Sequence, residues 1–167
     1  VICTPEHWHA LATIRACESG KHVYVEKNIS LNTMEGRKMI TAATKYNRMI
    51  QCGTQNRSGA YAFSARDYIQ SGNLGKIVHV KNFCMLPGSK PQMLKEDSPV
   101  PEGLNWDLWL GPAPVRPYKA EVYHPFNWRG WLDFGTGGIG DMGIHNAAMA
   151  YVGLRLGLPT SIEVVAT

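Results

Sequence analysis

Three short apolar tracts near the start of the chain, Val1-Ile2-Cys3, Lys21 to Glu26 and Met49 to Gly53, alternate with two stretches of helical periodicity. That alternation constrains the fold more than any other feature, because strand and helix taking turns with short punctuation is the pattern of βαβ units around a parallel sheet. Thr4 and Pro5 supply an N-cap and a first helical residue, Leu11, Ile14 and Cys17 follow at helical spacing, and Gly20 stops the helix. Asn32 with Glu35 three residues on reads as a capping box for a helix reaching about Tyr46, and Asn47 suits a left-handed stop. Tyr24 between Val23 and Val25 makes the middle strand apolar on both faces, as a covered parallel sheet requires.

A parallel sheet aligns the carboxyl ends of its strands on one edge, and ligands of open α/β folds sit beyond that edge. Three turns fall there: Thr4-Pro5, Glu26-Lys27-Asn28 and Gln55-Asn56-Arg57. Polar turns are common and need no ligand. Turns usually recruit Gly, Asn, Asp or Pro, however, so an acid beside an amine at Glu26-Lys27 stands out.

With 167 residues the chain can bury a real core, as one domain or two small ones. The net charge of +4 is dispersed, with no run of like charges, so neither nucleic acid nor a membrane surface is indicated as a partner. No apolar run approaches the roughly 18–20 residues of a spanning helix. The first residues read as the end of a strand without an initiator Met, so any targeting segment is expected upstream; a cytoplasmic location is favoured and a periplasmic one stays open. Cys3, Cys17, Cys52 and Cys84 are widely spaced, lack metal-ligand spacing and are expected to be small buried thiols; no metal site is expected.

From Ser58 onward the pattern changes. Ala62, Ala65 and Ile69 mark a helix ending at Gly72, and Lys76 to Cys84 alternates as a strand. Pro87 to Pro125, rich in Pro, Gly and aromatics, is too long for a simple connection and reads as a packed functional loop. For Trp106, Trp109, Trp128 and Trp131 two readings stand side by side: the lining of a sugar or cofactor pocket, or a mini-core under the loop. Gly135 to Gly140 is no dinucleotide fingerprint, since no strand of a βαβ unit precedes it; it leads to a helix from Asp141 to Leu156, and Ser161 to Ala166 opens a strand.

Asp141 and His145, four apart, share a helix face. They are either a capping acid and a core histidine or an oriented proton-transfer pair. His7 and His9, two apart in a helical turn, diverge too far to share a metal, though one of them can face the strand-end crevice.

Four stretches, Thr4-Pro5-Glu6-His7-Trp8-His9, Val23-Tyr24-Val25-Glu26-Lys27, Asn127-Trp128-Arg129-Gly130-Trp131 and Gly140-Asp141-Met142-Gly143-Ile144-His145, occur in the order found in the Gfo/Idh/MocA family of sugar oxidoreductases. The chain resembles that family across nearly its whole length. The resemblance implies an α/β fold: the C-terminal part of a Rossmann parallel-sheet domain (1–57), lacking its GxGxxG unit, followed by a truncated α/β open-sheet domain (58–167). It implies NAD or NADP as cofactor, with Thr4, Pro5, His9, Glu26 and Asn56 lining the nicotinamide end and Trp128 and Arg129 reaching it from the second domain. Lys27, Asp141 and His145 would be the catalytic trio, acting on a hydroxyl or keto group of a sugar, polyol or glycoside, and the full-length protein would be a homo-oligomer. The chemistry suits these residue types: His145 can take a hydroxyl proton while Lys27 steadies the oxygen. Two departures from the family pattern are Asn28, where proline usually follows the lysine, and Ala148, where an acid is common. Two other readings are a glycoside hydrolase using the same cofactor transiently, and a non-catalytic sugar-binding or assembly fragment.

Overall fold

The computed structural model describes residues 1–84 and 95–164. Its regular elements are helix α1 (His9–Glu18), strand β1 (Val23–Glu26), helix α2 (Thr33–Tyr46), strand β2 (Ile50–Gly53), and helices α3 (Ala60–Gln70), α4 (Trp106–Leu110), α5 (Gly137–Asn146) and α6 (Ala148–Gly153). Two compact units emerge. The first gathers Val1–Gly53 with the described residues of Met85–Ile144, the second Thr54–Cys84 with those of His145–Thr167.

In the first unit β1 and β2 pair in parallel, Val23 with Ile50 and Glu26 with Gly53. Ile2 adds a parallel bridge on the other side of β1, its N–H donating to Tyr24 O (2.8 Å) and its carbonyl accepting from Glu26 N (2.9 Å). The expected first strand is thus reduced to one bridging residue. Helices α1 and α2 pack together beside β1, burying Ala10, Cys17, Val23, Val25, Met39 and Ala42. Asn32 caps α2 by accepting from Glu35 N (3.0 Å), while the Glu35 carboxylate accepts from Leu31 N (2.9 Å). The return bond of the expected box therefore falls one residue early. Asn47 ends α2 with φ 50°, the left-handed stop its side chain tolerates.

A second core of the same unit lies under the long segment. Trp106, Leu110, Tyr118, Val122, Tyr123, Trp128 and Phe134 are buried, with Trp109 and Trp131 packed against them. Trp106 stacks on Trp109 (centroids 4.8 Å apart), and the indole N–H groups of Trp106 and Trp131 donate to Arg116 O (2.8 Å) and Val122 O (3.0 Å). Of the two readings for the tryptophans, the mini-core describes their packing. The part of the expected loop at 87–94 lies outside the described residues.

The helix expected from Asp141 to Leu156 starts earlier and is interrupted: α5 begins at Gly137, inside the glycine run, and α6 follows after a break at Ala147. Asp141 therefore sits within α5, not at its cap.

In the second unit α6 packs on α3 where Gly153 meets Ile69, a side-chain methyl lying 2.7 Å from where a Cβ would stand. Gln70 ties the pair, donating to Val152 O (3.1 Å) and accepting from the Arg155 guanidinium (3.0 Å). The expected strand over Lys76 to Cys84 does not form, nor does one over 161–164; the rest of that tract lies outside the described residues. Alternating β-branched residues describe a surface suited to a sheet, but a strand exists only through a ladder to a neighbour, and among the described residues none pairs with these segments.

Cys17 is buried and Cys52 half-buried, whereas Cys3 and Cys84 are exposed, against the expectation of buried thiols. No helix among the described residues is long and apolar enough to cross a membrane.

Candidate active site

β1 delivers Glu26 and Lys27 to the sheet margin. Glu26 can turn across β2 because Gly53 opposite it has no side chain: a Cβ there would stand 2.9 Å from both carboxylate oxygens. Lys27 extends to α5, where its ammonium donates to the carbonyl (2.8 Å) and the Oδ1 of Asp141. Across the same carboxylate, Arg129 Nε lies 3.6 Å from Oδ2. The Arg129 guanidinium is itself fixed over the Trp128 and Phe126 rings (4.2 and 4.3 Å) and donates to Phe126 O (3.1 Å). One carboxylate thus serves two cations. With the Lys27 and Asp141 side chains only 17% and 20% exposed, solvent screens this arrangement less than a surface pair. An ammonium has three N–H donors and Asp141 takes two; among the described residues the third has no partner.

Behind Lys27 lies a second cluster. His9 is 1% exposed, with Nδ1 2.6 Å from Asn28 O and Nε2 2.8 Å from Thr4 O. The Asn28 amide donates to Glu6 Oε1 (3.1 Å) and Thr136 Oγ1 (2.7 Å), and the Thr136 hydroxyl donates to Glu6 Oε2 (2.9 Å). Glu6, a buried carboxylate, carries no signal of a site role of its own, because an acid in a first helical turn looks like a dipole partner. Thr136 carried no signal, being one hydroxyl among glycines 130 residues from Glu6.

Among the residues named from sequence, Lys27, Asp141, Arg129 and Trp128 therefore stand in one cluster, and Thr4 and His9 join the turn behind it. Thr4 is exposed and Pro5 half-buried after the Ile2 bridge. Asn56 and His145 belong to the second unit: Asn56 lies in a 3-10 turn following β2 and accepts from the Tyr61 hydroxyl (3.3 Å), and His145 is half-buried in the last turn of α5. Among the described residues no group of three or more His, Cys, Asp or Glu is placed to hold a metal.

His7 is a structural histidine. Its Nε2 donates to Trp109 O (2.9 Å), its ring packs edge-on against Phe134 (5.1 Å), and its buried Nδ1 has no well-aligned hydrogen-bond partner among the described residues. Burial, outweighing the backbone hydrogen bonds, lowers its pKa. The unfolded chain then binds a proton that the folded ring refuses, so His7 makes stability fall as pH drops below about 6.5, levelling once the folded pKa is passed. His7→Gln keeps an N–H for Trp109 O, and urea unfolding between about pH 7 and pH 5 should show a shallower pH slope in this variant. An unchanged slope would remove His7 as its source.

Comparison with known proteins gives a consistent picture. A family model described as "Oxidoreductase family, NAD-binding Rossmann fold" matches residues 1–54, and one described as "Oxidoreductase family, C-terminal alpha/beta domain" matches residues 85–165. The chain is 29% identical over 91 residues to scyllo-inositol 2-dehydrogenase (NAD(+)) of Bacillus subtilis, covering 54% of this chain and 27% of that protein. It is 24% identical over 150 residues to levoglucosan dehydrogenase of Pseudarthrobacter phenanthrenivorans, covering 89% and 31%. An uncharacterized oxidoreductase of Rhizobium meliloti is 28% identical over 108 residues, covering 65% and 32%. The chain spans about a third of the length of these relatives.

Proposed function

Since the chain belongs to the Gfo/Idh/MocA family of oxidoreductases, we propose that the protein carrying it is a nicotinamide-dependent dehydrogenase of a sugar, polyol or glycoside. In this reading residues 1–57 contribute the nicotinamide side of a Rossmann domain and 58–167 belong to the substrate domain. The observation that carries the proposal is the Lys27 ammonium, held by Asp141 at the strand margin with one N–H that no described residue takes up.

The residues present suit a nicotinamide. Glu26 supplies a carboxylate acceptor, Thr4 an exposed hydroxyl, and Arg129 a guanidinium already fixed on aromatic faces, a set able to receive an amide and a ribose. Bound there, the cofactor would accept or return the hydride. His9, with both ring nitrogens on backbone carbonyls, acts on this edge through Thr4 and Asn28. Asp141 fixes the direction of Lys27, whose remaining N–H binds the substrate oxygen and stabilises its developing negative charge. His145 takes the hydroxyl proton as the carbinol is oxidised and returns it on reduction.

The names of the two characterised relatives recommend inositols and anhydrosugars as the first substrates to try. In the complete enzyme carrying this chain, reduced cofactor should appear with at least one of them, under NAD or NADP. His145→Ala should lower the single-turnover rate by about 10²–10⁴-fold, the usual contribution of a positioned base, without changing cofactor affinity. An unchanged single-turnover rate would take His145 out of the mechanism.

A further inference from the structure

Within the first unit, the residue after Lys27 is held more firmly than a connecting turn requires. The Asn28 carbonyl receives the buried His9 ring, and its amide reaches both Glu6 and Thr136, which bond each other to close a three-cornered ring. Glu6 is 1% exposed and has no cation within ion-pair distance among the described residues, so the two hydrogen-bond donors are what it has in place of water. The backbone of α5 is shaped to admit the ring. A Cβ on Gly140 would run into the Thr136 side chain and stand 3.3 Å from Asn28 Nδ2. Gly140 immediately precedes Asp141, the residue that receives Lys27. Both ends of the Lys27–Asp141 pair are therefore set by the same few atoms: the lysine backbone through Asn28, the aspartate helix through Gly140 against Thr136.

We infer that Glu6, Asn28 and Thr136 are positioning residues, a closed hydrogen-bonded ring that fixes the Lys27 ammonium on Asp141. The inference extends the proposed function by naming what aims its lysine, and rests on that reading only in calling Lys27 catalytic. The ring works as a unit, since each corner both needs and satisfies the other two. Opening it at Thr136 orphans a buried carboxylate oxygen and one amide hydrogen together. The Lys27 backbone then loses a fixed successor, and the ammonium leaves Asp141 for part of the time.

Trace acetylation of lysines in the chain, located by peptide mass spectrometry, reads this directly. Lys38, exposed on α2, is the internal standard, and thiol labelling of Cys17, buried in the same unit, reports general opening. Thr136→Val, close in shape but without the hydroxyl, should raise acetylation of Lys27 on the order of tenfold relative to Lys38, as expected when one charge-assisted hydrogen bond is released. Cys17 should stay protected. Asn28→Ala, at another corner, should do the same, and Thr136→Ser, which restores the hydroxyl, should return Lys27 to its original reactivity. Unchanged Lys27 in both ring-opening variants would overturn the inference, as would failure of serine to rescue. A rise shared with Cys17 would equally overturn it, by making the ring a general stability element. Labelling reads the position of Lys27 whether or not it takes part in hydride transfer, so failure here and failure of the dehydrogenase reading give different results.

Discussion

Lys27→Met in the complete enzyme is expected to lower kcat about 10²–10³-fold, the loss typical of one donor aimed at a developing oxyanion. The affinity for nicotinamide cofactor should stay unchanged. Methionine keeps most of the lysine stem's volume and removes only the ammonium. The change should leave the fold intact for a reason visible in the site: Asp141 keeps Arg129, 3.6 Å from its other oxygen, so its half-buried carboxylate is not stranded. Lys27→Arg should not rescue the rate, because a planar guanidinium cannot reproduce the compact tetrahedral set of donors that meets both the carbonyl and the carboxylate of Asp141. Steady-state assay for kcat, fluorescence titration for cofactor binding and circular dichroism for fold separate these effects. A Lys27→Met enzyme within about threefold of the original rate would show that the ammonium stabilises no charge in the transition state.

The parts of this site that the sequence made legible are those governed by local rules. Val23 to Glu26 reads as a strand because its β-branched and aromatic residues suit a sheet, and a parallel sheet necessarily brings its turns to one edge; Tyr24, however, is 37% exposed, so the strand is not covered on both faces as its apolar pattern predicts. Asn32 and Asn47 mark the ends of α2 because capping is decided within four residues. What stayed hidden depends on distant partners. Thr136 and Asn28 meet across 108 residues, and no pattern in either neighbourhood announces it. The glycine run before Asp141 looks like a turn, yet α5 begins inside it. The missing Cβ of Gly140, costly to a helix in isolation, is what lets the helix lie against Thr136. Lys76 to Cys84 errs the other way. Its residues have strand propensity, but propensity supplies no partner, and pairing is a property of two segments.

Phe134→Ala is expected to be the most destabilising single change in the first unit, by about 3–5 kcal/mol. Phe134 is fully buried, with Trp109 at 4.9 Å, Tyr123 at 5.4 Å, His7 at 5.1 Å and the Arg116 guanidinium over its face at 4.9 Å. Four large groups converge on one ring, so its removal leaves a cavity they cannot close without giving up their own contacts, such as the stacking of Trp109 on Trp106 and the His7 hydrogen bond to Trp109 O. Phe134→Leu, retaining most of the volume, should lose only about 1–2 kcal/mol. Urea unfolding followed by tryptophan fluorescence is well suited to the measurement. All five tryptophans, Trp8, Trp106, Trp109, Trp128 and Trp131, lie in the first unit, so the signal reports that unit alone. The effect should reach the site as well. Phe134 N and Gly135 N both donate to Trp131 O (2.9 and 2.8 Å), and a Cβ on Gly135 would stand 2.8 Å from Arg129 Cα, so the turn that presents Thr136 is fixed by its approach to this core. Loosening Phe134 should therefore raise Lys27 acetylation in still-folded protein. A stability loss below about 1 kcal/mol would mean that the aromatic cluster only covers the segment and does not hold it.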